Sequence, residues 1–335
     1  MTNPRSALHK VISILQCGLL TIASYLGATH ATAQTFPSKP LTMVVAFTPG
    51  GASDFVARVM AKEMAVNLNQ PVLVDNVAGV GGSLGVLKVA NATPDGYTMI
   101  TGSPLELILA PLGIAAAKNK PEDVRMLALV GRTSMVLVTR KDLNVNSVEE
   151  FVDLLKKTDK PLSYGSTGVG SLYHLMAAKL SQSVGGKSLH APYPGIVQVA
   201  QAVAGGHLDF AFLPIAGPFP GFVDNGTVKG LAVSSSEAVT RLPKLPTVRA
   251  VKGLEDFVFS IWAGVQTGAK VPDSVAATLH KSAYAALAAP EVRKQIEASG
   301  TVLAAPMTLA ELNAFFIRET AIYRAIAKSV NLETQ

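Results

Sequence analysis

The chain has 335 residues, of which 49% are hydrophobic and 16% are charged, and its formal net charge is +6. This hydrophobic share is enough for a sizeable buried core. The mild basic bias contains no run of basic residues, which argues against nucleic acid as a partner. Cys17 is the only cysteine, so the chain cannot form a framework of internal disulfides.

The first residues have the pattern of a secretory signal peptide. A basic segment precedes an apolar stretch at 11–26, and a small-x-small site ends at Ala33. A membrane anchor fits less well, because polar residues interrupt the stretch and no second long apolar run follows. Lipidation of Cys17 is disfavoured because Gln16 precedes it where a small residue is needed. We therefore expect residues 1–33 to be removed on export to the periplasm.

The mature chain would keep 302 of the 335 residues, which suggests about two domains of ~150 residues each. Loss of Arg5 and Lys10 lowers its formal charge from +6 to +4. It would also lose its one cysteine, so its stability has to come from an apolar core.

Strand and helix patterns alternate through the first third of the mature chain. An apolar run at 41–47 predicts a strand, and apolar residues at helical spacing predict a helix over 53–67. A second strand at 71–75 leads into a glycine-rich loop at 78–85 and a short helix, and a third strand follows at 97–101. This order implies right-handed crossovers and a largely parallel sheet.

The rest of the chain continues in the same way. Ser147 is expected to cap a helix that ends at Lys157, and the segment STGVGS separates a strand from a helix at 172–184. The order predicts an α/β protein with two lobes, residues 34–135 plus 260–335 in lobe 1 and 136–259 in lobe 2. The other predicted elements are strands at 126–130, 135–140, 162–165, 189–191, 210–213, 231–234 and 259–265, and helices that start at Pro272 and Thr308.

Two strand-to-helix junctions carry the functional signal, PGGASD at 49–54 and STGVGS at 166–171. Glycine lets the backbone approach a ligand closely, and the first N–H groups of a helix have no partner inside it. Each junction is therefore a candidate anion site. The alternative is that Gly50 and Gly51 only form a turn and that Ser53 or Asp54 only caps a helix.

Enzyme motifs are incomplete. GGSLG at 81–85 satisfies the G-x-S-x-G pattern around a nucleophilic serine, but the preceding strand ends about five residues too early. No dinucleotide or phosphate loop is complete, and the histidines lack metal-ligand spacing. We expect no enzyme activity, no cofactor and no metal. A secreted hydrolase that uses Ser83 with His174 or His190 is kept as an alternative.

Several segments together resemble the solute-binding proteins of tripartite tricarboxylate transporters, the TctC or Bug family. They cover most of the mature chain in order: PGGxxDxxAR at 49–58, GVGGSLG, PDGYT at 94–98, YGSTGVGS, HAPYPG at 190–195, GGHLDFAF and LPTV at 245–248. The resemblance implies a two-lobed periplasmic binding protein, a Venus flytrap with a mostly parallel sheet in each lobe and two crossover connections. It also implies a monomer that closes on a small organic acid.

The ligand contacts that the resemblance implies come from both junctions. The first set is Thr48, Pro49, Gly51, Ser53 and Asp54, and the facing set is Ser166, Thr167, Gly168, Gly170 and Ser171, with Tyr193 and Asp209 completing the wall.

Two segments depart from the family pattern. The loop with Ser103 and Glu106 carries an acid, so Glu106 is expected either to face a cationic group of the ligand or to be a solvated carboxylate at a helix start. The apolar run FAFLP at 210–214 suggests an apolar pocket wall, and hence an aromatic or aliphatic acid rather than a citrate-like one.

The sequence thus predicts a periplasmic receptor that delivers a small carboxylate to the membrane permease subunits of a tripartite tricarboxylate transporter. A receptor that reports to a signalling partner is the alternative output, and an amino acid is the alternative ligand.

Overall fold

The computed structural model describes residues 36–329, and the predicted signal peptide at 1–33 lies outside them. All helices and strands below belong to one unit, Lys39–Gln335. Within 36–329, no helix has the length and apolar character that crossing a membrane requires.

The first part of the chain alternates strands and helices as predicted. A 3₁₀ turn (Val80–Gly82) precedes the second helix, and a π-helical turn (Leu105–Leu109) follows the third strand. The elements are β1 (Leu41–Val45), α1 (Ala52–Leu68), β2 (Val72–Asn76), α2 (Ser83–Ala90), β3 (Thr98–Gly102), α3 (Ala110–Gly113) and β4 (Val124–Thr139).

The second part adds three helices that the sequence patterns did not predict, α6, α7 and α9. The elements are α4 (Val148–Lys157), β5 (Leu162–Ser166), α5 (Leu172–Ser183), β6 (Ser188–Pro192), α6 (Ile196–Ala204), β7 (Phe210–Pro214), α7 (Phe219–Asp224), β8 (Lys229–Val233), β9 (Ser260–Gly268), α8 (Asp273–Ala288), α9 (Pro290–Ala298), β10 (Val302–Leu303) and α10 (Leu309–Ser329). Ser147 caps α4 as predicted, since its side chain accepts a hydrogen bond from Glu150 N.

Ten strands in the described part of the chain form one continuous sheet in the order β2-β1-β3-β9-β4-β7-β5-β6, with β8 and β10 also paired to β4. Pairings at the outer ends, β1 with β2 and β3 and β5 with β6 and β7, are parallel. The pairings of β4 and β9 at the centre are antiparallel. The sheet is therefore mixed rather than mostly parallel, because the two long central strands run against their neighbours.

A single strand, β4, replaces the two strands predicted at 126–130 and 135–140. The polar residues between the two predicted segments have partners in the structure. Arg132 bonds Glu319, and the Thr133 and Thr301 hydroxyls are 3.0 Å apart. The strand pairs with β9 as far as Ser134 and with β7 from Met135 onward. It therefore belongs to both halves of the sheet. The parallel strands β1 and β5, one in each half, end close to the same cleft.

Candidate ligand-binding cleft

The first junction leaves the start of α1 open. Gly50 has φ +84°, a conformation that favours glycine. Gly51 is the N-cap residue of α1, and no side chain caps this helix. The first-turn amides of α1 are thus not satisfied by a capping side chain, which is the state that suits an anion.

Asp54 fixes the shape of this junction. Its carboxylate accepts hydrogen bonds from Gly50 N at 2.9 Å, from Arg58 Nε at 3.0 Å and from Asn76 Nδ2 at 3.0 Å. Burial by itself would raise the pKa of Asp54, but the hydrogen bonds from Arg58, Gly50 and Asn76 together lower it. Asp54 is therefore an ionised residue whose acceptor sites are used to hold the loop.

A narrow cleft with a cavity volume of about 30 Å³ lies between this junction and the loops that follow β5 and β6. The residues that line it come from both halves of the sheet. They are Phe47, Thr48, Gly51, Ala52, Ser53, Asp54, Leu105, Thr167, Tyr173 and Ile196. Five predicted contacts are thus brought together, namely Thr48, Gly51, Ser53, Asp54 and Thr167. None of the described residues that line the cleft is Lys, Arg or His, so an anion would meet amides and hydroxyls beside the hydrogen-bonded carboxylate of Asp54.

The second junction satisfies most of its own polar groups. Ser166 Oγ lies 2.7 Å from His190 Nε2 and 3.0 Å from Gly168 N. Ser171 caps α5 through His174 N, and Gly170 N donates to His174 Nδ1 at 3.2 Å. The hydrogen bonds within the loop therefore use polar groups of Ser166, Gly168, Gly170 and Ser171. Of the contacts predicted in this loop, only Thr167 lines the cleft.

Two histidine rings support this loop from behind. The centroids of His174 and His190 are 4.4 Å apart, and Tyr164 stacks near both. Burial lowers the pKa of His174. Burial and then the proximity of His174 lower the pKa of His190 to about 4. Both rings are therefore neutral near pH 7, and His190 bonds Ser166 in that state.

A third junction, which sequence reasoning missed, faces the first one. Gly195 is the N-cap residue of α6 and, like Gly51, has no side-chain cap. A Cβ placed on Gly195 would lie 2.7 Å from Thr48 Oγ1, and one placed on Gly51 would lie 4.0 Å from Ile196 Cγ2. The sequence does contain the pattern of a helix start here, with Pro194-Gly195 before apolar residues at helical spacing, Ile196 and Val199. In the sequence analysis the segment entered only as part of the HAPYPG motif.

Glu106 is neither solvated nor at the cleft surface. It is fully buried in the π-helical turn Leu105–Leu109, and both carboxylate oxygens accept hydrogen bonds from Ser103. Among the described cleft residues its neighbour Leu105 appears and Glu106 does not. Burial raises the pKa of Glu106 to about 7, although the hydrogen bonds from Ser103 oppose the shift. The expectation of a solvated carboxylate was wrong.

The other predicted wall residues lie elsewhere. Pro49 is exposed beside the cleft, and Tyr193 packs against the core around β7. Asp209 is held by Arg140 Nε at 2.9 Å and by Ser163 N at 2.7 Å. The side chains of Phe210–Pro214 are buried in the core rather than in the cleft, so the apolar wall comes from Phe47, Leu105, Tyr173 and Ile196 instead.

The structure does not assemble the alternative hydrolase. Ser83 is fully buried, and its Oγ has no hydrogen-bond partner in the described part of the chain. His190 bonds Ser166 instead, and His174 accepts from Gly170. Within residues 36–329, no group of three or more His, Cys, Asp or Glu side chains is placed to hold a metal ion.

Comparisons with known proteins agree with this geometry. The model of the tripartite tricarboxylate transporter family receptor, TctC, matches residues 56–332. Protein BugT of Bordetella pertussis is 30% identical over 289 residues, which are 83% of this chain and 86% of BugT.

Two solved structures show the same fold. The periplasmic binding protein BugD superposes with a TM-score of 0.83 at 28% identity, over 90% of this chain and 100% of BugD. MatC from Rhodopseudomonas palustris with bound malate gives a TM-score of 0.80 at 26% identity, over 87% of this chain and 99% of MatC. The fold is thus that of two-lobed solute-binding receptors, which are not enzymes. From the family match and this fold together, the chain belongs to the TctC family of tripartite tricarboxylate transporter receptors.

Proposed function

We propose that the protein is a periplasmic receptor that closes its cleft on a small carboxylate and delivers it to the membrane subunits of a tripartite tricarboxylate transporter. The observation that carries this proposal is the meeting of two uncapped helix N-termini, α1 at Gly51 and α6 at Gly195, beside one cleft. Helix N-termini of this kind bind anions. The malate bound to MatC supports an organic acid as the ligand.

The ligand carboxylate would be held by neutral donors. One helix N-terminus contributes about 0.3 to 2 kcal/mol toward an anion, whereas micromolar affinity requires about 8 kcal/mol. Several hydrogen bonds must therefore act together. The hydroxyls of Thr48, Ser53 and Thr167 line the same cleft and supply donors from both sides of it.

The body of the ligand would meet apolar side chains. Phe47, Leu105, Tyr173 and Ile196 line the cleft with the hydroxyl residues. Such walls favour an aliphatic or aromatic acid over a citrate-like one, since additional carboxylates of citrate would be desolvated against apolar groups.

We assign residues 34–135 plus 260–335 to lobe 1 and residues 136–259 to lobe 2. Closure would bend the sheet where β4 passes from β9 to β7, at Ser134 and Met135. Thr167, Tyr173 and Ile196 already line one cleft with the start of α1, so the ligand would enter an opened form and be enclosed by both lobes as these residues return.

Binding is tested on the chain without residues 1–33. Malate, hexanoate, benzoate and their uncharged amides are screened by thermal shift and then by calorimetry. We expect acids to bind and amides to bind at least tenfold more weakly. Thr48→Val and Thr167→Val should each weaken binding about five- to tenfold, because each removes one hydroxyl at nearly constant volume.

Thr278→Val is the matched control, because Thr278 is an exposed residue of α8 away from the cleft. The proposal fails if no acid shifts the melting temperature, or if the control weakens binding as much as the cleft variants. Uptake of the bound acid by cells with and without the receptor separates delivery to a transporter from signalling.

A further inference from the structure

A buried carboxyl group stands directly behind the cleft without a cationic partner. Ser103 N lies 2.5 Å from Glu106 Oε1, and Ser103 Oγ lies 2.6 Å from Oε2. No Lys, Arg or His in the described part of the chain pairs with Glu106. A buried carboxylate without an opposite charge is strongly disfavoured, and such a group usually takes up a proton.

The contact with Ser103 accommodates both protonation states. The Ser103 hydroxyl donates to an ionised carboxylate, and it accepts from the protonated acid by rotating its hydrogen. Gly82 closes the site from another side, because a Cβ placed there would lie 2.5 Å from Glu106 Cβ. Glu106 can therefore change its charge without losing its position.

The elements that pack on the turn Leu105–Leu109 bring few other charges. The 3₁₀ turn, β3 and α3 contain no titratable residue. The titratable residues of α2 and α10 whose side chains are described are paired or exposed. They are Lys88 bonded to Asp75, Glu319 bonded to Arg132, Arg324 bonded to Glu122, Tyr323 bonded to Ser260 O, and the exposed Glu311 and Arg318.

Tyr173 of α5 connects Glu106 to the cleft. It follows β5, on the other side of the cleft from the turn that holds Glu106. It is only 4% exposed, and it lines the cleft. Burial and then the nearby charge of Glu106 raise the pKa of Tyr173, so the two groups are electrostatically coupled. Tyr173 is therefore a neutral residue at the cleft.

We propose that the cleft binds its carboxylate ligand together with one proton, which resides on Glu106, so that Glu106 is the residue that determines the charge the cleft accepts. This inference rests on the proposed function. With Glu106 ionised, the incoming carboxylate and Asp54 would be joined by a third negative charge close to the cleft. With Glu106 protonated, that repulsion is absent, and the buried side chain carries no charge.

The sign of the pH dependence follows from linkage. A bound anion raises the proton affinity of Glu106, and by reciprocity protonation of Glu106 raises the affinity for the anion. Affinity for an acid should fall as the pH rises through 7, the region where Glu106 titrates. One proton limits the change to about tenfold per pH unit. An amino acid whose ammonium group neutralises Glu106 would show the opposite trend.

The test is calorimetry of malate and of hexanoate, at about pH 6 and about pH 8 for the affinities, and at about pH 7 in PIPES and in imidazole for the proton count. The heats in two buffers of different ionisation enthalpy give the number of protons taken up. We expect uptake of a substantial fraction of one proton near pH 7, and at least a fivefold weaker affinity at the higher pH. Glu106→Gln should bind at both pH values as tightly as the wild type does at the lower one.

Two further measurements assign the proton. A carboxylic-acid C=O band should appear in the infrared difference spectrum on ligand binding and be absent in Glu106→Gln. His190→Gln and His174→Gln should each keep the pH dependence, which excludes proton uptake by the histidine pair. Both remain informative if Glu106→Gln folds poorly, because the band and the proton count are measured on the wild type and the His190 variant is independent of it.

The outcomes separate the two proposals. Binding with no proton uptake, or a pH dependence that persists in Glu106→Gln, overturns the role of Glu106 and leaves the receptor function standing. Affinity that rises with pH for an amino acid also overturns it. If neither acid binds at any pH, the proposed function itself fails and the role of Glu106 with it.

Discussion

Thr48, in the loop before α1, meets Gly195, the N-cap residue of α6, across the cleft. A Cβ on residue 195 would lie 2.7 Å from Thr48 Oγ1 and 2.8 Å from Gln198 Oε1. Gly195 has an extended backbone with φ −166°, which any residue adopts, so the need for glycine at this position is steric. The space it leaves is what lets the two sides approach.

Gly195→Val should therefore hold the cleft apart without unfolding the protein. The branched side chain would collide with Thr48 and Gln198 in the closed form and point into solvent in an open one. We expect at least a tenfold loss of affinity for the acid found in the screen, measured by calorimetry, with a change in unfolding free energy below about 1 kcal/mol.

Gly221→Ala provides the control for this variant, because nothing lies within 4 Å of a Cβ at that position. It should bind like the wild type. Unchanged affinity in Gly195→Val would show that the two helix starts do not need to meet for binding.

Asp54→Ala should destabilise the protein by about 1 to 3 kcal/mol, because it leaves the half-buried Gly50 and Asn76 amides without this acceptor. Urea unfolding at neutral pH measures the change. The same variant should weaken acid binding, since Gly50 and the start of α1 are positioned through this carboxylate.

Asp153→Ala is a matched comparison, because Asp153 also forms an i,i+4 pair, with Lys157, but at the exposed surface. Its removal should change stability by less than about 0.5 kcal/mol. An equal loss of unfolding free energy in the two variants would mean that burial of Asp54 and its contacts with Gly50 and Asn76 add no stability beyond the Asp54–Arg58 ion pair.

The sequence predicted the architecture well because local chemistry determined it. The apolar run of β1, the glycines at 50 and 51 and the helical spacing of α1 are all short-range features, and the structure confirms each of them. Five residues predicted for the site from the first and second junctions line the cleft.

What the sequence missed depends on long-range pairing. Asp209 looked like a pocket carboxylate because its partner Arg140 is 69 residues away in the chain. Glu106 looked like a solvated helix start because the residues that cover it come from several distant elements. The approach of Gly195 to Thr48 likewise exists only once the two halves of the sheet are assembled.

His190 should make the protein lose stability in acid. The folded state keeps this ring neutral down to about pH 4, whereas the free side chain titrates near 6.5. The unfolded chain therefore binds more protons between these values, and the free energy of unfolding falls as the pH is lowered from 6.5 through 4. His190→Gln, which keeps a partner for Ser166 and does not titrate, should lose less stability over this range in urea titrations.

His207→Gln changes an exposed histidine and should leave the acid profile of the wild type unaltered. A profile for His190→Gln that coincides with the wild type would assign the acid sensitivity to other groups.

Glu106 should have the opposite effect on stability. Its pKa is 4.5 in the free side chain and about 7 in the folded state. The folded state therefore binds more protons between these values, and the unfolding free energy of the unliganded protein falls as the pH rises from 4.5 to 7, by up to about 3 kcal/mol. Glu106→Gln should remove this slope, as measured by urea unfolding at several pH values.

Glu149→Gln removes an exposed carboxyl at the start of α4 and should retain the slope. If Glu106→Gln and the wild type lose stability in parallel over this range, the carboxyl titrates in its ordinary range, and the proton-coupled binding proposed above would lose its basis.

One hydroxyl ties the central strands together where β4 changes its partner. Met135 N donates to Ser234 Oγ at 2.9 Å, and Ser234 Oγ donates to Phe259 O at 2.7 Å, next to the start of β9. A connection made of continuous hydrogen-bonded strands bends over many residues rather than at one or two. The displacement is shared among many dihedral angles and is resisted elastically. Substitutions along these strands would then tune the resting angle of the receptor and the speed at which it empties, without touching the solute.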